Sequence, residues 1–313
     1  MFWKGIHKFS NIQVAPGGQA IGFGTYNTKG RTYFVNNITG SSSNDGLSWD
    51  RAFAEVSQAI TASEAFRVLL GGTTNDYIRN TIVVQGTGTA YAALTELPNY
   101  CDIIGVGAAS NGNGTGIAII DGAGAADAIT GTARGLNIYN MQFVASGSFW
   151  CCDFVQLLRS SLIDCCFQAK DTATDGGIRF KESSGGLNIK DCHWTGSGNV
   201  IHKVGFQVQG GNFDSCRIED CIIIGTTAGV LIDNTCSTGQ LGTAADNTIF
   251  RNNVIGDLGR GCATAIDDNC VVGMINYISN SIMGTAGITC VNNGAARVHG
   301  NFTANAFIAV TAS

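Results

Sequence analysis

Seven times between Ile138 and Thr303 the chain repeats one short pattern: an apolar residue, two further residues, a Met, Cys or Asn, one residue, and a last position that is usually apolar. The copies are Ile138-x-x-Met141-x-Phe143, Leu162-x-x-Cys165-x-Phe167, Ile189-x-x-Cys192-x-Trp194, Ile218-x-x-Cys221-x-Ile223, Phe250-x-x-Asn253-x-Ile255, Tyr277-x-x-Asn280-x-Ile282 and Val298-x-x-Asn301-x-Thr303. Subtracting successive middle positions gives steps of 24, 27, 29, 32, 27 and 21 residues. A fixed motif returning at a loosely varying interval is what a solenoid leaves in a sequence. Its strands must stack on their equivalents in neighbouring coils, while the turns between them vary freely in length.

A second set of apolar pieces falls between the first: Ile178-Arg179-Phe180, Phe206-Gln207-Val208, Val230-Leu231-Ile232, Ala265-Ile266 and Ile288-Thr289-Cys290. Each coil therefore supplies at least two short alternating strands separated by Gly-, Asn- or Asp-containing turns. The fold class that follows is all-β, a single-stranded right-handed parallel β-helix. Composition agrees, with 43 Gly, 2 Pro and 13% charged residues in 313, which suits tight turns and short strands rather than amphipathic helices. A mean hydropathy of +0.15 is too apolar for disorder. No apolar run reaches the roughly 18 residues a membrane span needs. A net charge of −5 argues against nucleic acid as a partner, for which a basic stripe is required.

The middle column predicts an internal ladder of Met141, Cys165, Cys192, Cys221, Asn253, Asn280 and Asn301, small buried thiols giving way to asparagines whose stacked amides satisfy one another. The 12 cysteines thus read as free core thiols suited to a reducing compartment. Cys151-Cys152 and Cys165-Cys166 should alternate between inside and outside. No C-x-x-C pair points to zinc, and no metal or cofactor is implied.

Residues 1–30 lie outside the repeat. Phe2, Trp3, Ile6 and Phe9 stand among Lys4, His7 and Lys8 ahead of a Gly-rich stretch, without the apolar run and cleavage site of a signal peptide. An aromatic, basic arm too short to fold alone either docks on a partner through Phe2, Trp3, Lys4, Ile6, Lys8 and Phe9 or packs across the first coil. Residues 31–70 read as a capping strand and helix. Ser48 is placed to N-cap a helix over 49–65, with Phe53, Val56, Ala59 and Ile60 on its apolar face. Residues 71–313 form the β-helix proper.

Residues 33–60, with Tyr33-Phe34-Val35-Asn36-Asn37, Gly40-Ser41, Asn44-Asp45-Gly46-Leu47-Ser48-Trp49, Ala52-Phe53, Val56 and Ala59-Ile60, resemble the opening of many right-handed parallel β-helix proteins of the pectate-lyase-like superfamily. That opening recurs in bacterial surface proteins and in bacteriophage virion proteins such as tailspikes and appendages. The resemblance implies the fold and does not specify an activity, since the superfamily holds lyases, hydrolases, binding proteins and structural proteins. It also implies a homotrimer with three β-helices side by side, for which outward apolar residues such as Leu231, Phe149 and Trp150 are candidates.

Chemistry on a β-helix needs residues recurring on one outer face. Aligning the second set places Lys181, Gln209, Asp233 and Asp267 at equivalent outward positions, with Glu182 and Asp268 beside them. Coils about 4.8 Å apart could bring two carboxylates to a glycosidase spacing, although Asp-Asn and Asp-Asp pairs are also ordinary turn formers. The polygalacturonase pattern fails. Asp267-Asp268 stands alone, Val298-His299-Gly300 replaces Gly-His-Gly, and Arg217-Ile218-Glu219 replaces Arg-Ile-Lys and precedes the acidic pair. Asp171 and Asp175 could touch a cation but do not make a calcium site. His193 reads as an outward strand residue and His202 as a turn residue.

The sequence therefore points to a structural virion protein made in the host cytoplasm. It would be a trimeric capsid decoration or cement protein, or a short spike or fibre, whose arm grips the major capsid protein or another virion protein. The alternatives are a tailspike-type polysaccharide hydrolase or lyase working on a host-surface glycan through Asp233, Asp267, Asp268 or Glu182, and a carbohydrate-binding adhesin.

Overall fold

A computed structural model of the chain describes residues 30–70, 78–107, 116–196, 200–233, 248–257, 261–270 and 275–290, together with Gly259 and the short stretches 12–14, 20–22, 236–238, 272–273 and 296–303. Three long parallel sheets of ten, nine and eleven strands wind around one core. Within each sheet neighbouring strands come from successive coils, the arrangement of a parallel β-helix, and right-twisted strands joined by such crossovers wind right-handedly.

The ten-stranded first sheet carries the leading apolar residue of every repeat. Its inward column runs Tyr33, Ile82, Ile103, Ile138, Leu162, Ile189, Ile218, Phe250, Tyr277 and Val298 in continuous register. The strand Thr32–Val35 is thus the first member of this sheet, paired directly with Asn80–Gln85. The nine-stranded second sheet carries the last repeat position, stacking Phe143, Phe167 and Trp194 ring on ring. In the eleven-stranded third sheet Ile178, Phe206, Val230, Ile266 and Ile288 share one inward column.

Between the first and second sheets the chain bends at one residue with left-handed backbone, immediately before each middle position. Asn140, Asp164, Asp191, Asp220, Asn252, Ser279 and Gly300 all have φ between 50° and 58°. Asn, Asp and Gly visit this region at least cost. The second variable residue of the repeat is therefore constrained, and several acidic residues along the coil are corner formers.

The middle residues line the core just inside this corner. Cys165, Cys192 and Cys221 point their thiols at the carbonyls of Ile138, Leu162 and Ile189 in the preceding coil. Asn253, Asn280 and Asn301 donate Nδ2 to the equivalent carbonyls of Ile218, Phe250 and Tyr277 at 2.9–3.0 Å. The asparagines add a second bond: Oδ1 of each accepts the backbone N–H of Cys221, Asn253 and Asn280 in turn.

At the N-terminal end the helix is displaced from its predicted position. Trp49–Arg51 is a single 3₁₀ turn and the α-helix covers Val56–Leu69. Ser48 makes no side-chain cap; Glu55 does, in a reciprocal box with Gln58. The reason is Phe53, whose backbone pairs with the first strand (Phe53 N to Phe34 O, Asn36 N to Phe53 O, both 2.9 Å) and so cannot be helical. The residues that carried the family resemblance are consumed by this loop. Asn36 Oδ1 accepts the N–H groups of Ile38 and Thr39, and Asp45 accepts that of Leu47 and pairs with Arg51. Gly46, at φ 69°, lies where a Cβ would strike the Phe53 ring. Before the first coil, Ile12–Val14 and Ala20–Gly22 form an antiparallel hairpin. The arm residues Phe2, Trp3, Lys4, Ile6, Lys8 and Phe9 lie outside the described residues.

Candidate functional site

The densest set of interacting ionisable groups sits on the outer face of the third sheet, at its N-terminal end. The strand Trp150–Leu158 pairs with Ile129–Arg134 on one side and Gly176–Phe180 on the other, which sets Asp153 beside Arg179. Arg179 grips the Asp153 carboxylate with both prongs, Nε and Nη2 at 2.8 and 2.9 Å. Lys181 completes the cage as a second ion pair. Asp127, in the turn before the strand Ile129–Arg134, lies near enough to Asp153 to feel its charge and accepts the Trp150 N–H at 2.7 Å. The Arg179 guanidinium lies 4.7 Å over the Trp150 ring. That ring fits only because residue 176 is glycine: a Cβ there would fall 2.0 Å from it.

Electrostatics separate the two acids. Burial pushes the Asp153 carboxyl up, but its hydrogen bonds and charge contacts with Arg179 and Lys181 outweigh that and hold it below the usual carboxylate range. Asp127 is driven the other way, by burial and then by the neighbouring Asp153 charge, against the bond from Trp150 N–H. One member thus stays an anion while the other retains a proton more readily. Such a pair can in principle exchange protons with a bound molecule. Here, however, the Asp153 side chain is only 1% exposed and both its oxygens are occupied by cations. The cluster is a charge-neutralised staple across three coils.

The carboxylates anticipated from the sequence fall elsewhere. Asp233 follows the strand Ala228–Ile232 in register with Gln209 and Lys181, each extending its strand by one hydrogen bond to the previous coil. Asp267 does not join them. It pairs with Leu231 and Thr289, because Ile266 aligns with Val230 rather than with Ile232. The slip is two residues, so Asp267 still faces outward while Asp268 turns into the core. There Asp268 is 4% exposed and accepts the Tyr277 hydroxyl at 3.1 Å and the Cys270 N–H at 3.0 Å. Burial raises its pKa. Glu182 is exposed at the end of its strand.

Other expectations change in detail. Cys151 and Cys152 do not alternate; both are fully buried in one core. Cys165 and Cys166 do alternate, Cys165 into the core and Cys166 toward the outer face of the second sheet, although both are buried. His202 lies in the connection before the strand Val204–Val208, as read from the sequence, but its side chain is turned inward. It is buried, donates Nε2–H to Phe167 O at 3.0 Å, and is pushed down to about 4 by desolvation, so it is neutral above that pH. Trp150 is buried and Phe149 packs against the core, leaving Leu231 as the outward member of that trio. Asp171 is spent on the N–H groups of Gly147 and Ala173 and the Thr174 hydroxyl, and Asp175 pairs with Lys203 at 2.7 Å. Among the described residues no three His, Cys, Asp or Glu side chains converge as metal ligands, and ten cysteines are free and buried.

No family model matches the chain, and no curated protein matches it. Among solved structures, the deglycosylated pectin methylesterase from Aspergillus niger aligns over 89% of this chain and 87% of that one, at 13% identity and a TM-score of 0.38. A likeness of that size transfers no chemistry from one chain to the other.

Proposed function

We propose that this β-helix is a structural rod of a virion, assembled side by side with further copies of itself and anchored through its N-terminal arm as a decoration, cement or short spike protein. Synthesis in the host cytoplasm accompanies that reading. The observation that carries it is how the outer faces spend their charge. Arg179–Asp153, Lys203–Asp175 and Arg251–Glu219, at 2.7–2.8 Å, together with Arg79–Asp102 and Lys170–Asp121, each tie one coil to another. Charges used this way brace a rod and are already neutralised when a ligand arrives. The sequence resemblance of residues 33–60 to β-helix proteins of virions and cell surfaces supports the same role, and the ten cysteines whose side chains are described are free and buried, which suits a chain folding in a reducing compartment.

The test is deletion of residues 1–24. Purified full-length and truncated chains are mixed with particles that lack the protein and recovered by sedimentation. Loss of co-sedimentation on truncation, with an unchanged far-ultraviolet spectrum, is the expected result. A truncated chain that still attaches rules out the arm as anchor. A full-length chain that binds no particle but cleaves or binds host glycan moves the protein to the spike or adhesin class.

A further inference from the structure

A helix that buries one face and shows the other to water normally spends its outer face on charge. The helix Val56–Leu69 does not. Its only charged residues are Glu64 and Arg67, and they pair with each other at 2.7 Å, with Arg67 buried. The outer row is Ser57, Thr61, Ala65, Val68 and Leu69, all exposed. Of the seven large apolar side chains that stand exposed among the described residues, three are consecutive here: Val68 at 55%, Leu69 at 78% and Leu70 at 41%. Three in a row at one helix end make a patch rather than scattered exposure, and such a patch marks a contact surface.

The chain itself enters the fold beside this patch. Arg31 donates its backbone N–H to Asn80 Oδ1 at 2.8 Å, and its guanidinium lies 3.9 Å over the Phe66 ring. Phe66 neighbours Leu69 and Leu70, three and four residues on along the helix, so the arm joins the rod one turn from the patch. The arm's apolar residues Phe2, Trp3, Ile6 and Phe9 fall at i, i+1, i+4 and i+7, the spacing of one helix face. The hairpin of Ile12–Val14 with Ala20–Gly22 turns the chain back on itself. From Gly22 to Gly30 the extended chain spans at most about 28 Å, more than the roughly 21 Å length of the helix.

We infer that residues 2–9 dock on the helix end formed by Phe66, Leu69 and Leu70 of their own chain, and that the arm is stowed there until a particle takes it. The inference rests on the arm as anchor, proposed above, and adds how the anchor is held before use. The same four apolar side chains cover one surface at a time, so helix and particle compete for them. A tether of this length gives an effective concentration of roughly millimolar order, which puts a chain's own arm ahead of a second copy's at micromolar protein. Lys4 and Lys8 suit the negative end of the helix dipole. Residues 71–77, which follow the helix, offer a single large apolar side chain, Tyr77, and make a poorer cover.

The first experiment needs no particle. Trypsin cuts after Lys4 and Lys8, and on a folded chain its rate follows the open fraction of the arm. Leu69→Gln and Leu70→Gln together should make cleavage after Lys8 about tenfold faster than in the wild type, with unchanged circular dichroism. Should that variant fail to fold, Phe9→Cys with Leu69→Cys decides the matter: mild oxidation at micromolar concentration should close a disulfide within one chain. A disulfide joining two chains instead makes a second copy the occupant and overturns docking within the chain. Equal cleavage rates with no cross-link overturn the stowed arm, whatever covers the patch. Co-sedimentation with particles then separates stowing from anchoring. The glutamine variant should attach at least as well as the wild type. Weaker attachment without faster cleavage makes the helix end a particle contact and overturns the stowed arm. A wild type that binds no particle, beside an intrachain disulfide in the cysteine variant, overturns the anchor and leaves the docked arm standing.

Discussion

At the scale of single residues, the core of this protein reduces to one recurring demand. After Met141, which has no donor, the middle residue of each repeat is compact and presents a donor to the carbonyl one coil back. A thiol does this weakly and an amide strongly, which explains how Cys165, Cys192 and Cys221 pass into Asn253, Asn280 and Asn301 along one column. Asn253→Cys keeps a donor toward Ile218 O but removes the acceptor of the Cys221 N–H. Asn253→Ala removes both. Chemical denaturation should therefore rank the wild type above Asn253→Cys above Asn253→Ala, with the alanine variant losing about 2–5 kcal/mol for its unsatisfied buried groups. Asp268 is the converse, a carboxyl in a column otherwise filled by Phe180, Val208 and Ile232. Burial first, and the neighbouring Asp267 charge in addition, raise its pKa against the bonds from Cys270 N–H and Tyr277. The folded chain then holds this proton more tightly than the unfolded chain. Its contribution is fully present below the ordinary carboxylate range and is lost as pH climbs through the raised value. Asp268→Asn, whose Oδ1 can still accept the Cys270 N–H and whose Nδ2 can donate to the Tyr277 hydroxyl, should raise the thermal midpoint at pH 7.5 and leave it unchanged at pH 3. Equal shifts at the two pH values would show that the carboxyl is not strained by its charge.

At the scale of the strand and its corner, the left-handed residue before each middle position sets the path of the coil. Asp164 and Asp191 occupy that corner in adjacent coils, and the Asp164 carboxyl is raised by burial and by its Asp191 neighbour. Asp164→Gly removes the strained Cβ and the like charge together, and should stabilise the protein by about 1 kcal/mol; Asp164→Val should destabilise it by roughly 1–2 kcal/mol. Paired thermal melts of the two variants check this, and a stabilising valine would contradict the corner geometry. The same elements show what a sequence reveals of such a fold. Inward positions were readable because a column buried on both sides accepts only apolar side chains, so Leu162, Ile189 and Ile218 announce themselves. The register of Asp267 was not, because a slip of two residues leaves every side chain on its own face. The helix start was misplaced because Phe53 is apolar at helical spacing yet serves a strand edge. The Asp127–Asp153–Arg179 cluster draws on three coils whose turn lengths differ. Its one trace in the sequence is Asp153 itself, a single charge in the strand Trp150-Cys-Cys-Asp-Phe-Val-Gln-Leu-Leu158.

At the scale of the whole molecule, each coil touches only its neighbours, so stability is a chain of coil-to-coil couplings and the weakest coupling decides whether the rod unfolds as one. The aromatic stacks make those couplings visible. Phe154 packs on Phe180 at 5.5 Å between ring centres, Phe180 on Phe206 at 5.6 Å, Phe206 on Phe250 at 5.5 Å and Phe250 on Tyr277 at 5.3 Å. Phe206 also meets Phe213. It is therefore the link through which the N-terminal stack reaches the C-terminal one. The N-terminal end carries a further brace, since Tyr33 and Phe53 stack beneath the helix Val56–Leu69 and the Tyr33 hydroxyl donates to Ala62 O. Phe206→Ala should cost about 3–5 kcal/mol, and in a linear array that loss falls at one junction rather than being shared. Calorimetry of the wild type should show a single transition. Phe206→Ala should show two, and hydrogen exchange should place the earlier one in the coils from Ile218 onward, with Ile82, Ile103 and Ile138 still protected. A single, uniformly lowered transition would mean that coupling runs through the backbone ladders of the three sheets and that the aromatic column only fills space.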